Sequence, residues 1–478
     1  MWSKTRFLAS ILAAALVVLP ASLGAANVVL INGDPAGQGF NDPTPVAPVG
    51  GNTGTTLGAQ RLIAFQHALN IWGAQLSSPI DIAVFATFEP LPCTAGSGVL
   101  GAAGPVSLWR DFTGAQFGGH WYPDALASKL FGADLSTGDP DPLNNAEIQA
   151  LFNSDLGSAN CLAGSPFYLG LDNAHGTAID LVAVVLHEVG HGLGFATFTD
   201  GITGAYFGGF PGIFDRFALD TSTNKTWDVM TDAERVVSAV NARRLVWNGG
   251  IVSASVPLVL QLGDPQMNVS APAGVAGTYL VGTAGFGPPL ASPGLSGNLM
   301  PVVDQANGAG LACNPLSAIN ALAVNGNIAV VDRGTCTFVV KVKNAQDAGA
   351  RAVVVVDNAA GSPPPGLGGA DPTITIPAVR ITLADGTALK NALRFRSRTR
   401  SGVLANLNLN LAVRSGADAA GRALLYSPNP YQDGSSISHW DTSATPNLLM
   451  EPAINSDLSH VVAVPRDLTL SQLRDIGW

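Results

Sequence analysis

The segment that most constrains this chain is an apolar run that ends abruptly in charge. Residues 179–186 read Ile-Asp-Leu-Val-Ala-Val-Val-Leu and pass straight into His187-Glu188-Val189-Gly190-His191. Asp180 suits the N-cap of a helix carrying Leu181, Val185, Leu186 and Val189, and Gly194 suits its end. Residues four apart share one helix face, so both imidazoles can reach a single ion. Glu188 lies about 100° around the helix from His187, close enough to reach a water beside that ion. The apolar run places the helix in a core, where an unpaired His or Glu is costly. A metal ion removes that cost. Two histidines are an incomplete set, because catalytic zinc sites use three protein ligands and keep one position open.

A third ligand has to come from elsewhere. In the common short extension it lies six residues beyond the second histidine, where this chain has Thr197, a poor ligand. Candidates further along are Asp200, Asp215, Glu234 (in a helical-looking stretch, 231–240), His439 and His460. His67, His120 and His175 have no ligand spacing. The most distinctive of these neighbourhoods is Ser438-His439-Trp440-Asp441, followed by Leu448-Leu449-Met450-Glu451-Pro452.

Together the two motifs resemble the leishmanolysin-type metzincins. In that family a long insertion separates the second and third histidines, and a His-Trp pair precedes a Leu-Met-x-Pro turn. Gly192-Leu193-Gly194-Phe195 and the closing stretch 468–478 also match its habit. The resemblance implies His187, His191 and His439 as ligands of one catalytic Zn²⁺, Met450 as the floor of the site and Glu188 as general base. It implies a secreted endopeptidase acting on protein or peptide substrates. The implied fold class is α+β: a metzincin-like core of mixed sheet plus active-site helix. Residues 80–91 alternate as a strand, and 80–88 is the expected partner of an extended substrate. Two other readings stay open, a catalytically inactive binding or adhesion protein and a zinc exopeptidase.

The long insertion has its own character. After about residue 250 the chain turns to short β-type runs, with strands expected at 328–331 and 352–356 and a helix at 338–348 between them. Val331-Asp332-Arg333-Gly334-Thr335-Cys336-Thr337-Phe338, the run 341–350, Ile376-Pro377-Ala378-Val379 and Asp385-Gly386 resemble a protease-associated (PA) domain. That resemblance implies a small β-sandwich with flanking helices, used for substrate selection or partner binding; a plain spacer is the simpler reading. The expected organisation is a leader (1–26), a first core part with the zinc helix (27–270), a PA-like insertion (271–400) and a second core part with the third ligand (401–478).

Bulk properties narrow the remaining choices. A chain of 478 residues suits two or three domains. Lys4 and Arg6 precede an apolar stretch, 7–19, and the small residues Gly24-Ala25-Ala26, the layout of a cleavable secretory leader. The stretch is short of the roughly 20 residues a bilayer span needs. Export to an extracellular or periplasmic space follows, with cleavage after Ala26 and no lasting membrane anchor. Four cysteines in an exported chain suggest two disulfides with three possible pairings. Proximity favours Cys93–Cys161 and Cys313–Cys336. A formal charge of −10 argues against nucleic acid as a partner. The dense basic run, Arg394, Arg396, Arg398 and Arg400, reads as a solvated surface strand. Asp139, Asp141 and Asn144 can bind Ca²⁺, but a solvated acidic loop is the stronger reading.

Overall fold

The computed structural model describes residues 24–478. The leader reading falls mostly on residues 1–23 and so lies outside the described residues. Among those described, no helix is long and apolar enough to cross a membrane.

Two sheets organise the chain. The first has four strands in the order β1 (Val28–Asn32), β2 (Ile82–Glu89), β4 (Ile148–Asn153), β3 (Gly101–Pro105). Strands β1, β2 and β4 run parallel, while β3 is antiparallel to β4 and ends the sheet. Along β2, Ile82, Val84, Ala86 and Phe88 are buried while the residues between them are more open, the period of two that the sequence shows. Helix α1 (Leu57–Gln75) packs against helix α2 (Leu181–Leu193), and Trp72 donates its indole N–H to the Leu186 carbonyl at 3.1 Å. One apolar core joins both helices and this sheet to residues 417–476, so the start and the end of the chain share an interior.

The second sheet has eight strands, in the order β6 (Gly277–Leu280), β5 (Leu262–Ala271), β12 (Leu404–Arg414), β8 (Leu295–Pro301), β9 (Ile328–Asp332), β10 (Ala352–Val356), β11 (Ala378–Ile381), β7 (Gly282–Thr283). Strands β8 to β11 are parallel, the rest antiparallel. Expected as a small sandwich, it is one continuous mixed sheet, because β8 pairs with β12 on one side and β9 on the other. Each face carries its own core. Ile328, Val330, Ala352 and Val354 join one, Ala329, Val331, Val353 and Val355 the other. Helix α5 (Leu383–Leu393) covers the first face through Leu389 and Leu393, and α4 (Phe338–Asp347) covers the second through Val342 and Ala345. A short helix, α3 (Ala318–Val324), also joins the second.

Strands β5 and β12 are the two legs by which this unit leaves and re-enters the first one. Leu262 pairs with Arg414, and Ser415 N–H donates to the Gln261 carbonyl at 3.0 Å. The sheet therefore spans Leu262 to Arg414, wider than the 271–400 read from the sequence. Disulfides join Cys93 to Cys161 and Cys313 to Cys336. The arginine run does not form a strand. Helix α5 extends to Leu393 and residues 394–400 form an exposed turn.

Candidate metal centre

Helix α2 starts where the sequence places it. Asp180 accepts the N–H groups of Val182 and Ala183, and Gly194 closes the helix with φ at +125°. Every residue of α2 is buried, and neighbours approach closely at its glycines. A Cβ on Gly190 would lie 2.9 Å from the Met450 sulfur, so the glycine is what lets Met450 sit against the helix.

His187, His191 and His439 come together although the last is far along the chain; one ligand atom from each lies within 4.8 Å of the others. The Nε2 atoms of His191 and His439 are each 3.2 Å from Nε2 of His187. On the opposite side of each ring, Nδ1 meets a backbone carbonyl: Leu449 at 2.7 Å for His187, Phe195 at 2.8 Å for His191 and Ser435 at 2.7 Å for His439. A carbonyl can only accept, so all three protons sit on Nδ1 and three Nε2 lone pairs face one another. Lone pairs this close repel unless a cation lies between them. Burial keeps the rings neutral, pushing His187 to about 3, His191 to about 4 and His439 well below the usual imidazole value. The donor set, its fixed tautomers and its carbonyl supports fit a divalent ion of the zinc type.

The loop carrying His439 is tied to the helix from several directions. Trp440 N–H donates to the Met450 carbonyl at 2.8 Å, and the Trp440 ring stands 4.8 Å from that of Phe195. Leu449, whose carbonyl takes the His187 proton, gives its own N–H to the buried Asp467 carboxylate at 2.6 Å. Thr197, no ligand, donates its N–H to the Ser438 hydroxyl beside His439 at 3.1 Å and its hydroxyl to Asp215.

Glu188 is buried, and desolvation pushes its carboxyl up to about 8. Strand β3 lies against it: a Cβ on Gly101 would stand 3.0 Å from Glu188 Cγ and 3.1 Å from Oε1. This corrects the expected substrate strand. β2 is flanked by β1 and β4 and has no free edge, whereas β3 is one of the two terminal strands and the one beside Glu188.

The other candidate ligands have different employment. Glu234 closes a capping box with Thr231 and pairs with Lys225. Asp200 takes the N–H groups of Ile202 and Thr203, Asp215 holds Thr197, Thr199 and Gly212, and His460 meets Asp180 at 2.9 Å. In the loop weighed for Ca²⁺, Asp139 and Asp141 accept the backbone N–H groups of Asp141 and Leu143 and face solvent. Among the described residues the metal-competent grouping is the histidine one. Sequence reasoning missed the three carbonyl supports, Asp467 and β3. A backbone acceptor leaves no trace in residue identity, and Gly-Ala-Ala-Gly-Pro has no β-former to mark a strand.

Comparison with known proteins identifies one part of the chain. Residues 296–389 match the PA domain family. Over 79 residues the chain is 42% identical to the receptor homology region, transmembrane domain- and RING domain-containing protein 1 of Oryza sativa subsp. japonica, covering 16% of this chain and 15% of that one. Over 154 residues it is 30% identical to vacuolar-sorting receptor 3 of Arabidopsis thaliana, covering 30% of this chain and 24% of the receptor. The chain thus spans a quarter or less of these relatives. Among solved structures it is similar to BSAP, a zinc aminopeptidase from Bacillus subtilis, with 19% identity and a TM-score of 0.23 over 41% of this chain and 42% of that one. It is similar to the aminopeptidase from Aneurinibacillus sp. strain AM-1, with 19% identity and a TM-score of 0.22 over 42% of each chain. Scores that low carry no argument about fold or activity.

Proposed function

We propose that this chain is an exported zinc-dependent endopeptidase of the leishmanolysin-like metzincin type, its core built from the parts flanking the PA domain. The observation that carries the reading is the convergence of three Nε2 lone pairs beside a buried carboxyl. His187, His191 and His439 would hold the ion, and Met450 would underlie them. When bound, zinc supplies a Lewis acid that polarises a carbonyl and acidifies water.

The chain's own groups supply the rest. Glu188, as a carboxylate beside the ion, would take the proton of the attacking water and return it to the leaving nitrogen as the C–N bond breaks. Strand β3, terminal in its sheet, offers backbone groups to which an extended peptide can add as a further strand. A peptide held that way can continue past the site in both directions, which favours internal cleavage.

The test is metal analysis of the purified protein together with cleavage of casein and of a peptide blocked at both ends. One equivalent of zinc and cleavage of the blocked peptide are expected. Glu188→Gln should keep the zinc and lose activity by about 10²–10⁴-fold. A metal-free protein, or a Glu188→Gln variant as active as the parent, would sink the reading.

A further inference from the structure

The turn 394–400 is the densest basic feature of an otherwise acidic chain, and the proposed activity does not use it. Its sequence is Arg-Phe-Arg-Ser-Arg-Thr-Arg. Phe395 is 90% exposed, the most exposed of the large apolar side chains, at the end of α5. The backbone holds it there: Arg396 N–H bonds to the Leu393 carbonyl, Ser397 N–H to the Arg400 carbonyl at 2.8 Å and Arg400 N–H to the Ser397 hydroxyl at 3.0 Å.

Arg396 has a structural duty, donating Nη1 to the Leu393 carbonyl at 3.1 Å. The other three guanidinium groups have none, and among the described residues none of the four forms an ion pair. Residues 386–417 and 314–331 lack Asp and Glu, and Asp347, four residues before Arg351, is paired with Lys343. Asn327 links the turn to its neighbours. Its Nδ2 bonds the Thr399 carbonyl at 3.1 Å and the Ala323 carbonyl at 3.0 Å, and its own carbonyl accepts the Arg351 N–H. That bond brings a fifth arginine, exposed Arg351, to this end of the sheet. It also brings α3, on which Ile319 (77% exposed) and Leu322 (51%) lie three residues apart.

We propose that this end of the PA domain, centred on Phe395, docks on the headgroup layer of a membrane rich in anionic phospholipid. Arginine alone would suit any polyanion. A bare aromatic ring flanked in sequence by Arg394 and Arg396 suits a partner with an apolar layer beneath its charges. The formal charge of −10 does not oppose this, because salt screens charges more than about 10 Å away and leaves the local cluster to act by itself.

The test uses the full-length protein and cosedimentation with phosphatidylcholine vesicles, with and without phosphatidylserine. The protein should pellet with the phosphatidylserine vesicles alone, and added salt should release it. Phe395→Ala should weaken binding about tenfold. The triple change Arg394→Gln, Arg398→Gln, Arg400→Gln should weaken it roughly a hundredfold at unchanged melting temperature. Protein that stays in the supernatant with phosphatidylserine vesicles overturns the proposal. So does a Phe395→Ala variant that binds as the parent does, and so does binding to soluble heparin without binding to vesicles, which would assign the turn to a polyanion. Vesicle binding is read without any peptidase assay, so its outcome is independent of the proposed activity.

Discussion

Two sets of buried charged groups, one in each sheet unit, are met in different ways. In the eight-stranded unit Asp357 is a buried ion met by opposite charge. Asp357, at the end of β10, is driven up by burial yet ends below the ordinary carboxylate value, because Arg333 (2.9 Å), the Ala359 N–H and Arg380 hold its charged form. Asp332, partly buried, pairs with Lys390. In the four-stranded unit Asp180, Asp228 and Arg235 are paired as well, but another set of buried groups faces neutral or like-charged neighbours. Glu147 is pushed up to about 7 by burial and by Asp134 and Asp124, and Asp467 and Glu188 are raised by burial. The three histidines are driven the other way. Paired ions tie a structure together, whereas buried groups kept from their preferred charge mark a site built for something else.

The sharpest way to break this contrast is at His439. If the unpaired lone pairs exist to hold an ion, His439→Ala should abolish measurable peptidase activity and weaken zinc by more than the 10–100-fold that an outer partner costs. Zinc titration with activity measured on the same sample checks both; full turnover with tight zinc would show that the cluster is not the metal site. Asp467→Asn asks a smaller question. The amide keeps one acceptor oxygen but loses the charge that holds the Leu449 N–H and the Thr469 N–H. Leu449 in turn fixes the His187 tautomer, so zinc affinity should drop by roughly 10–100-fold. Unchanged affinity would mean that His187 is oriented without it.

Stability should separate the two units by sign. Glu147 has a folded pKa near 7, above its unfolded value near 4.5. Its contribution is therefore full below pH 4.5 and lost as pH rises through 7. Glu147→Gln avoids that loss and keeps an acceptor for the Ala83 N–H, so its advantage over the parent should grow from pH 5 to pH 8, to on the order of 2 kcal/mol. Asp357→Asn should do the reverse and destabilise at pH 8 by about 3 kcal/mol, leaving Arg380 buried without its counter-charge. Melting curves across that range settle the signs. Two destabilising results would erase the distinction between the units.

What could be read from the sequence follows from how local each feature is. The helix of His187 and His191 was legible because its residues lie within two turns, with Asp180 and Gly194 marking its ends. The β9–α4–β10 unit was legible for the same reason, short runs of Val and Ile around an amphipathic helix. His439 was marked out only by the resemblance of its His-Trp and Met surroundings to a known family, since no local rule joins residues 252 apart. The arginine run was misread because charge at every second position has the period of a strand. Helix α5 carries the chain to Leu393, and Ser397 and Gly402 then favour a turn. Strand β3 was missed because glycine and alanine leave pairing partners, not side chains, to define it.

The smallest effect is expected from removing the second unit altogether. Because Gln261 and Ser415 are already hydrogen-bonded, joining them after excising 262–414 closes the chain with no gap to span. The histidines, Glu188, Met450 and β3 all lie outside the excised stretch, and the core around them draws no buried residue from it. Turnover of an unfolded substrate such as casein should then stay within about threefold of the parent. Vesicle binding should vanish with the turn. A protein that excision leaves unable to bind zinc would show that the β5–β12 legs hold the two halves of the site in register, and the second unit would then be part of the site's architecture.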